Sequence, residues 1–233
     1  MPVYHLRNAS MPHYSPLFIS PTKCELSAVE AGLPDKERNH ILCYLCGFGP
    51  IAAAARTASL IIQHKPTVVL LAGIAGSLDA RCQIGSSYEF SAVRSYGIGV
   101  GTGELFQSAE DLEWKQWQGD NKQATGSFGD VIQQTPPRPE PLQHSIEGEL
   151  LSVCSASSSP EEAAVKKKQF PTAMAEDMEG FAVAAACTLL NVPWVVIRGI
   201  SNTAGDRDKA HWHIEEALHN VSKHVSQVLT DIR

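Results

Sequence analysis

Short apolar runs alternate with segments of helical period along most of the chain. Runs with the length and composition of buried strands occur at Leu17 to Ser20, Ile41 to Cys46, Val68 to Ala72, Ser87 to Val93, Leu150 to Val153 and Trp194 to Ile197. Their alternation with helices predicts an α/β fold on a mainly parallel sheet, since parallel strands need crossover connections that helices supply. One helix should open with Pro50 in its first turn, run through the alanine-rich stretch to Ile62 and stop at Lys65-Pro66. A second, from roughly Glu179 to Leu190, is apolar nearly all round and should be buried. The last follows Trp212 and places Ile214, Ala217, Leu218, Val221, Val225 and Val228 on one stripe, as an amphipathic helix packed on the sheet requires.

The pattern breaks between Gly119 and Ser145 into Gly, Gln, Pro and isolated apolar residues, including Gln134-Thr135-Pro136-Pro137-Arg138-Pro139-Glu140-Pro141. This segment, 119–145, reads as an irregular excursion from one domain and not as a linker between two. A length of 233 residues suits a single α/β domain. Residues 1–16 read as an N-terminal extension and 17–233 as the domain. The extension lacks the continuous apolar stretch of a secretory signal and no membrane-spanning run follows, so a cytoplasmic protein without a membrane partner is expected.

Nineteen Lys and Arg against 25 Asp and Glu give a net charge of −6, which disfavours nucleic acid as a partner. The one basic run, Lys166-Lys167-Lys168, reads as a solvated helix face or loop. Six cysteines, several in apolar segments, fit reduced thiols; Cys43 and Cys46 form a C-x-x-C, but within a strand-like run and without a second pair. None of the nine histidines stands at metal-ligand spacing, and neither a metal nor a cofactor is expected.

Four stretches carry chemistry. Gly47-Phe48-Gly49-Pro50-Ile51-Ala52 has the outline of a dinucleotide fingerprint, but the acidic residue that should end the next strand is absent, so a tight strand-to-helix turn is the better reading. Gly73-Ile74-Ala75-Gly76-Ser77 reads as a second turn, either plain or facing a ligand beyond the strand ends. Glu176-Asp177-Met178-Glu179-Gly180 gathers three carboxylates at the mouth of a buried helix, where the helix dipole favours negative charge and capping accounts for one or two of them. Glu179 needs a partner there, and a vicinal diol offers two donors. The strand from Trp194 ends in Ser201-Asn202-Thr203-Ala204-Gly205-Asp206, where an Asn can donate and accept in one plane, as a purine edge requires.

The Gly73-Ile74-Ala75-Gly76 turn, Met178-Glu179-Gly180 and Arg198-Gly199-Ile200-Ser201-Asn202, in this order, resemble the nucleoside phosphorylase and nucleosidase superfamily. The likeness covers about Leu17 to the C-terminus and is most specific from Phe170 to Asp206. The ending Ser201 to Trp212, followed by Ile214-Glu215-Glu216-Ala217-Leu218, is similar to the futalosine hydrolases, which release hypoxanthine from futalosine in an alternative menaquinone pathway and leave dehypoxanthine futalosine. The resemblance implies a single-domain, three-layer α/β/α fold with a mixed, mainly parallel sheet, a small-molecule purine nucleoside substrate, and a homo-oligomer. Alternatives on the same fold are another purine nucleosidase, such as a methylthioadenosine/adenosylhomocysteine nucleosidase, and a purine nucleoside phosphorylase.

The resemblance also implies roles. Glu25, after the first strand, positions and deprotonates the attacking water. Met178 and Glu179 meet the ribose, with Glu179 on its hydroxyls. Ile74, Ala75 and Gly76 bind substrate, and Ser155, Ala156 and Ser157 pass the base without the aromatic residue often found there. Asn202 stands where the methylthioadenosine nucleosidases carry an Asp that protonates N7 of adenine; an amide cannot give that proton but can hold the O6 and N7 edge of a 6-oxopurine. Base departure leaves positive charge on the ribosyl ring, which Glu179 stabilises through the hydroxyls while Glu25 aligns water against C1′. Phosphorolysis needs an anion cradle that a carboxylate at position 25 opposes. The stretch Gly97 to Phe106 is a candidate for the non-purine end of the substrate, or a surface loop.

Overall fold

Along the first strand, β1 (Pro16–Ser20), Leu17 and Ile19 point into one apolar layer and Phe18 into another, as the two-residue period of a strand dictates. Both faces are buried, so the strand is apolar as far as Ile19 instead of alternating. β3 (Val68–Ser77) and β11 (Trp194–Thr203) repeat the arrangement, with Val69, Leu71, Val196 and Ile200 on one side and Leu70, Ala72, Val195 and Ile197 on the other. The first layer is covered by α3 (Pro50–His64) and α5 (Gly180–Leu189), the second by α1 (Lys23–Gly32) and α6 (Ile214–Asp231). This is the three-layer α/β/α sandwich expected.

This computed structural model describes residues 15–39, 41–119, 126–134 and 146–232. Between the elements named lie β2 (Leu42–Leu45), β4 (Ser87–Phe90), β5 (Ala92–Tyr96), β6 (Gly99–Val100), β7 (Gln107–Ser108), β8 (Val131–Gln133), β9 (Glu149–Val153), β10 (Ala173–Asp177), α2 (Asp35–Arg38) and α4 (Pro160–Gln169). Among the described residues the main sheet runs β2-β1-β3-β10-β9-β5-β8, with β11 on the other edge of β3 and β4 beyond it. Pairings of β1 with β2 and β3, β11 with β3, β10 with β9 and β5 with β9 are parallel; those of β10 with β3, β4 with β11 and β8 with β5 are antiparallel. Among the described residues no helix is long and apolar enough to cross a membrane.

Four expectations change. Gly73 to Ser77 is not a turn but the second half of β3, and β11 likewise continues through Asn202 to Thr203. The run Ser87 to Val93 breaks at Ser91 into β4 and β5, which pair with different strands, β11 and β9. Within 119–145, the described part returns to the sheet as β8 on the edge of β5; 120–125 and 135–145 lie outside the described residues, as does most of the extension, 1–14. Lys166 is not solvated: it is 1% exposed in α4 and bonds Glu176, Ser157 and the Ser155 carbonyl.

Candidate active site

The sheet opens where β3 changes partners. One edge of β3 pairs with β1 as far as Leu71 and with β10 only from Gly76, while β11 follows the other edge along its length. Backbone groups in the gap still need partners. Ser20 Oγ donates to the Ala72 carbonyl at 2.7 Å, and the Ile74 N–H donates to Glu25 Oε1 at 3.0 Å. The opening leads into a cavity of about 340 Å3 that Glu25, Ile74, Ala75, Gly76, Ala156, Met178, Glu179 and Asn202 all line.

Ser155 and Ser157 are placed otherwise. Ser155 is exposed, and buried Ser157 gives both its N–H and its hydroxyl to Glu176, each at 2.8 Å. Lys166 Nζ closes this cluster from below at 3.1 Å from Glu176 Oε2, so the serines pin the segment and only Ala156 faces the cavity. The Gly97 to Phe106 stretch holds β6 and the turn leading into β7, is exposed except at Phe106, and is not among the cavity walls.

Glu25 is fixed by the start of α1. Thr22 caps that helix, accepting from Glu25 N–H, and Glu25 Oε2 in turn accepts from Thr22 N–H at 3.1 Å and Thr22 Oγ1 at 2.6 Å. With Ile74 N–H on Oε1, three of the roughly four acceptor positions of the carboxylate are engaged. The one left lies on Oε1.

Across the cavity, Asp177, Glu179 and Arg198 form a buried triad. Arg198, without exposure in the middle of β11, donates from Nε and Nη2 to Asp177 Oδ2 at 3.0 and 2.7 Å and from Nη2 to Glu179 Oε2 at 3.2 Å. Glu179 Oε1 accepts from Gly49 N–H at 2.9 Å, at the N-terminus of α3. The glycine turn that resembles a dinucleotide fingerprint thus directs its N–H at a carboxylate of the protein. Capping of α5 falls to Asp177 and Ser152, which accept from Gly180 and Phe181 N–H at 2.8 and 2.7 Å; Glu179 makes no side-chain cap. Burial, outweighing Arg198, pushes the Glu179 carboxyl up to about 7, with Asp177 and Glu25 adding to the rise. Gly73 permits this convergence, since a Cβ there would collide with Arg198 Nη1 and Glu25 Oε1.

Asn202 follows a bulge in β11, where the register shifts between Ile200↔Ala75 and Asn202↔Gly76. Its Nδ2 donates to the Thr203 and Asp206 carbonyls at 2.8 and 3.3 Å, and its Oδ1 accepts from Ser201 Oγ at 2.8 Å. In this structure the amide directs its donors at those two carbonyls. Both donors are engaged, which differs from the expected donation to a purine oxygen and leaves Oδ1 as the available group.

Residues 123–232 match the Phosphorylase superfamily. The chain is 31% identical over 182 residues to the futalosine hydrolase of Streptomyces coelicolor, covering 74% of this chain and 71% of that protein. The chain belongs to the phosphorylase superfamily. A 5′-methylthioadenosine/S-adenosylhomocysteine nucleosidase from Colwellia psychrerythraea is 29% identical over 197 residues, covering 80% of this chain and 75% of the relative. The superfamily fold is matched by the futalosine hydrolase of Helicobacter pylori with a TM-score of 0.72, at 17% identity, over 95% of this chain and 99% of that one. Within the phosphorylase superfamily this enzyme is an N-glycosyl hydrolase, like the relatives named.

Two site features escaped the sequence reading of this superfamily member. Arg198 was visible only as part of a motif, although a charge inside Val195-Val196-Ile197-Arg198 demands a buried partner. Arg207 and Trp212 also line the cavity, with the guanidinium 5.2 Å from the indole centroid. Trp212 Nε1 donates to the Asp206 carbonyl at 3.1 Å, which ties this rim to Asn202.

Proposed function

We propose that the enzyme hydrolyses the N-glycosidic bond of futalosine, releasing hypoxanthine and dehypoxanthine futalosine, as a step in menaquinone biosynthesis. The observation that carries this reading is the pairing of Glu25 and Glu179 in one cavity with an amide, not an acid, at Asn202. Water held on Glu25 Oε1 attacks C1′ and passes a proton to that carboxylate, while the C1′–N9 electron pair leaves with the purine, which takes up a proton from solvent to become hypoxanthine. Glu179, in its ionised form, accepts from the ribosyl hydroxyls and stabilises the positive charge that develops on the ring. A 6-oxopurine spreads the departing electron pair onto its oxygen, so no acid is needed at position 202. Asn202 then turns its amide from the Thr203 and Asp206 carbonyls toward the base edge when substrate enters.

One observation favours a second reading. In its present orientation Asn202 offers Oδ1, an acceptor, which suits the 6-amino group of an adenine nucleoside such as methylthioadenosine. Incubation with futalosine, inosine and methylthioadenosine, in phosphate-free buffer with a chelator, separates the readings by the base released. The expected outcome is hypoxanthine from futalosine, with methylthioadenosine cleaved roughly a hundredfold less efficiently, because a mispaired buried polar edge loses water without gaining a partner. Equal efficiency on both would establish the second reading, and a requirement for phosphate would make the enzyme a phosphorylase.

A further inference from the structure

We propose that Lys166 and Glu176 are positioning residues for the base: their buried ion pair holds Ala156 in register with β3 and so sets the slot that the purine enters. The inference rests on the nucleosidase reading of the cavity and deepens it with two charged groups that take no part in the chemistry described above. Lys166 is 1% exposed and Glu176 5%, and their Nζ and Oε2 lie 3.1 Å apart. Burying two charges stabilises a fold no better than apolar side chains of the same volume, but it fixes directions that apolar contacts leave loose. What this pair fixes is the chain on either side of Ala156.

An ammonium has three N–H donors, and Lys166 spends them on the Ser155 carbonyl at 3.0 Å, Ser157 Oγ at 3.0 Å and Glu176 Oε2 at 3.1 Å. The first two partners flank Ala156 in sequence, so one charge grips the chain before and after the residue that faces the cavity. Glu176 holds the downstream flank a second time, accepting from Ser157 N–H on Oε1 and from Ser157 Oγ on Oε2, each at 2.8 Å. Charge-assisted bonds of this kind are short and directional, which suits them to holding a short loop in one place.

The main chain of Glu176 carries the connection across to the far wall. In β10 Glu176 stands opposite Gly76 of β3, and Gly76 in turn stands opposite Asn202 of β11. From Ala156 to Asn202 the cavity wall is thus one run of bonded neighbours through Ser157, Glu176 and Gly76, in which the Glu176 side chain joins loop to sheet. Ala156, Gly76 and Asn202 all line the cavity. Loosening the ion pair therefore displaces the base slot while Glu25, tied to Thr22 and Ile74, and Glu179, tied to Gly49 and Arg198, keep their own supports.

Lys166→Met tests the pair, since it removes the charge at similar volume. Calorimetry with free hypoxanthine, free adenine and an iminoribitol that carries no base separates the base slot from the sugar site. The variant should bind the base that the wild type prefers about tenfold more weakly and the iminoribitol within about twofold of the wild type. In turnover KM should rise about as much as base affinity falls, with a smaller change in kcat. Equal losses for base and iminoribitol overturn the proposal, as does an unchanged base affinity in the folded variant. Should Lys166→Met fail to fold because Glu176 is left as a stranded charge, Lys166→Met/Glu176→Gln takes its place. There a neutral amide still bonds Ser157 while the Ser155 carbonyl loses its donor, so base affinity should fall about threefold at unchanged iminoribitol affinity; wild-type base affinity in that double variant overturns the proposal too. Preference for adenine over hypoxanthine defeats the futalosine reading alone, because each loss is measured within one base. A wild type that binds neither bases nor iminoribitol defeats the nucleosidase reading and this inference with it.

Discussion

Arg198 and Asp177 meet at 2.7 Å beneath the cavity, and His211 and Asp206 meet at 2.8 Å on its rim. The contact distances are alike, yet both inner side chains are 0% exposed while the outer two are 66% and 31% exposed. Under the cavity no water competes, so Arg198 compensates two carboxylates whose charges would otherwise be stranded. On the rim solvent does most of that work, and the pair shapes the loop more than it stabilises the protein. Polar groups of one kind thus act as foundation in one place and as adjustable edge in the other.

The largest expected effect is on the foundation. Arg198→Met keeps length but removes the charge, and should cost about 3–5 kcal/mol of stability because it leaves buried carboxylates uncompensated. Urea unfolding measures it directly. A loss below about 1 kcal/mol would show that water reaches the triad and that the contrast with the rim is one of degree.

Glu179→Gln comes next and acts on rate. Its amide keeps an acceptor for Gly49 N–H or for Arg198 but brings no charge to the oxocarbenium-like ring, so kcat should fall about 10²–10³-fold, with a smaller change in substrate affinity. The wild-type pH profile sharpens the point. Folding raises the Glu179 carboxyl from the ordinary carboxylate range to about 7, so its contribution to stability is full below that range and is lost as pH rises to about 7. The mechanism proposed for Glu179 needs the ionised form and runs the opposite way, so kcat/KM should climb through about pH 7 in the wild type, and the variant should lack that limb. A retained limb would move the titration to another group.

On the rim, Asp206→Asn should leave the unfolding midpoint where it was. The hydrogen bond between the two raises the His211 pKa and lowers that of Asp206, so their pairing is lost as pH rises past the first or falls past the second. A thermal shift as large as that of Arg198→Met would collapse the comparison.

Much of the sheet was legible because strands buried on both faces are continuous apolar runs, as Val68 to Ala72 and Trp194 to Ile197 are. The ends of the same strands were not, because Gly73, Gly76 and Asn202 are residues that punctuate turns when tertiary contacts are invisible. β10 was missed for a different reason. Ala173-Met174-Ala175-Glu176-Asp177 buries two acids in succession, and what tolerates them, Lys166 for one and Arg198 for the other, lies elsewhere in the chain. For the same reason Lys166 looked like a surface residue. Glu25, Glu179 and Asn202 came from the family resemblance, whereas Arg207 sits among ordinary loop residues and stands out only once the cavity has walls.

Glu25 occupies the third position of the helix that Thr22 opens, and its bonds to Thr22 are the same ones that start α1. An α-helix turns about 100° per residue, so one residue gained or lost between Ser20 and Thr22 would swing the carboxylate off the Ile74 N–H and out of the cavity. Over evolutionary time that tether should admit substitutions more readily than changes of length.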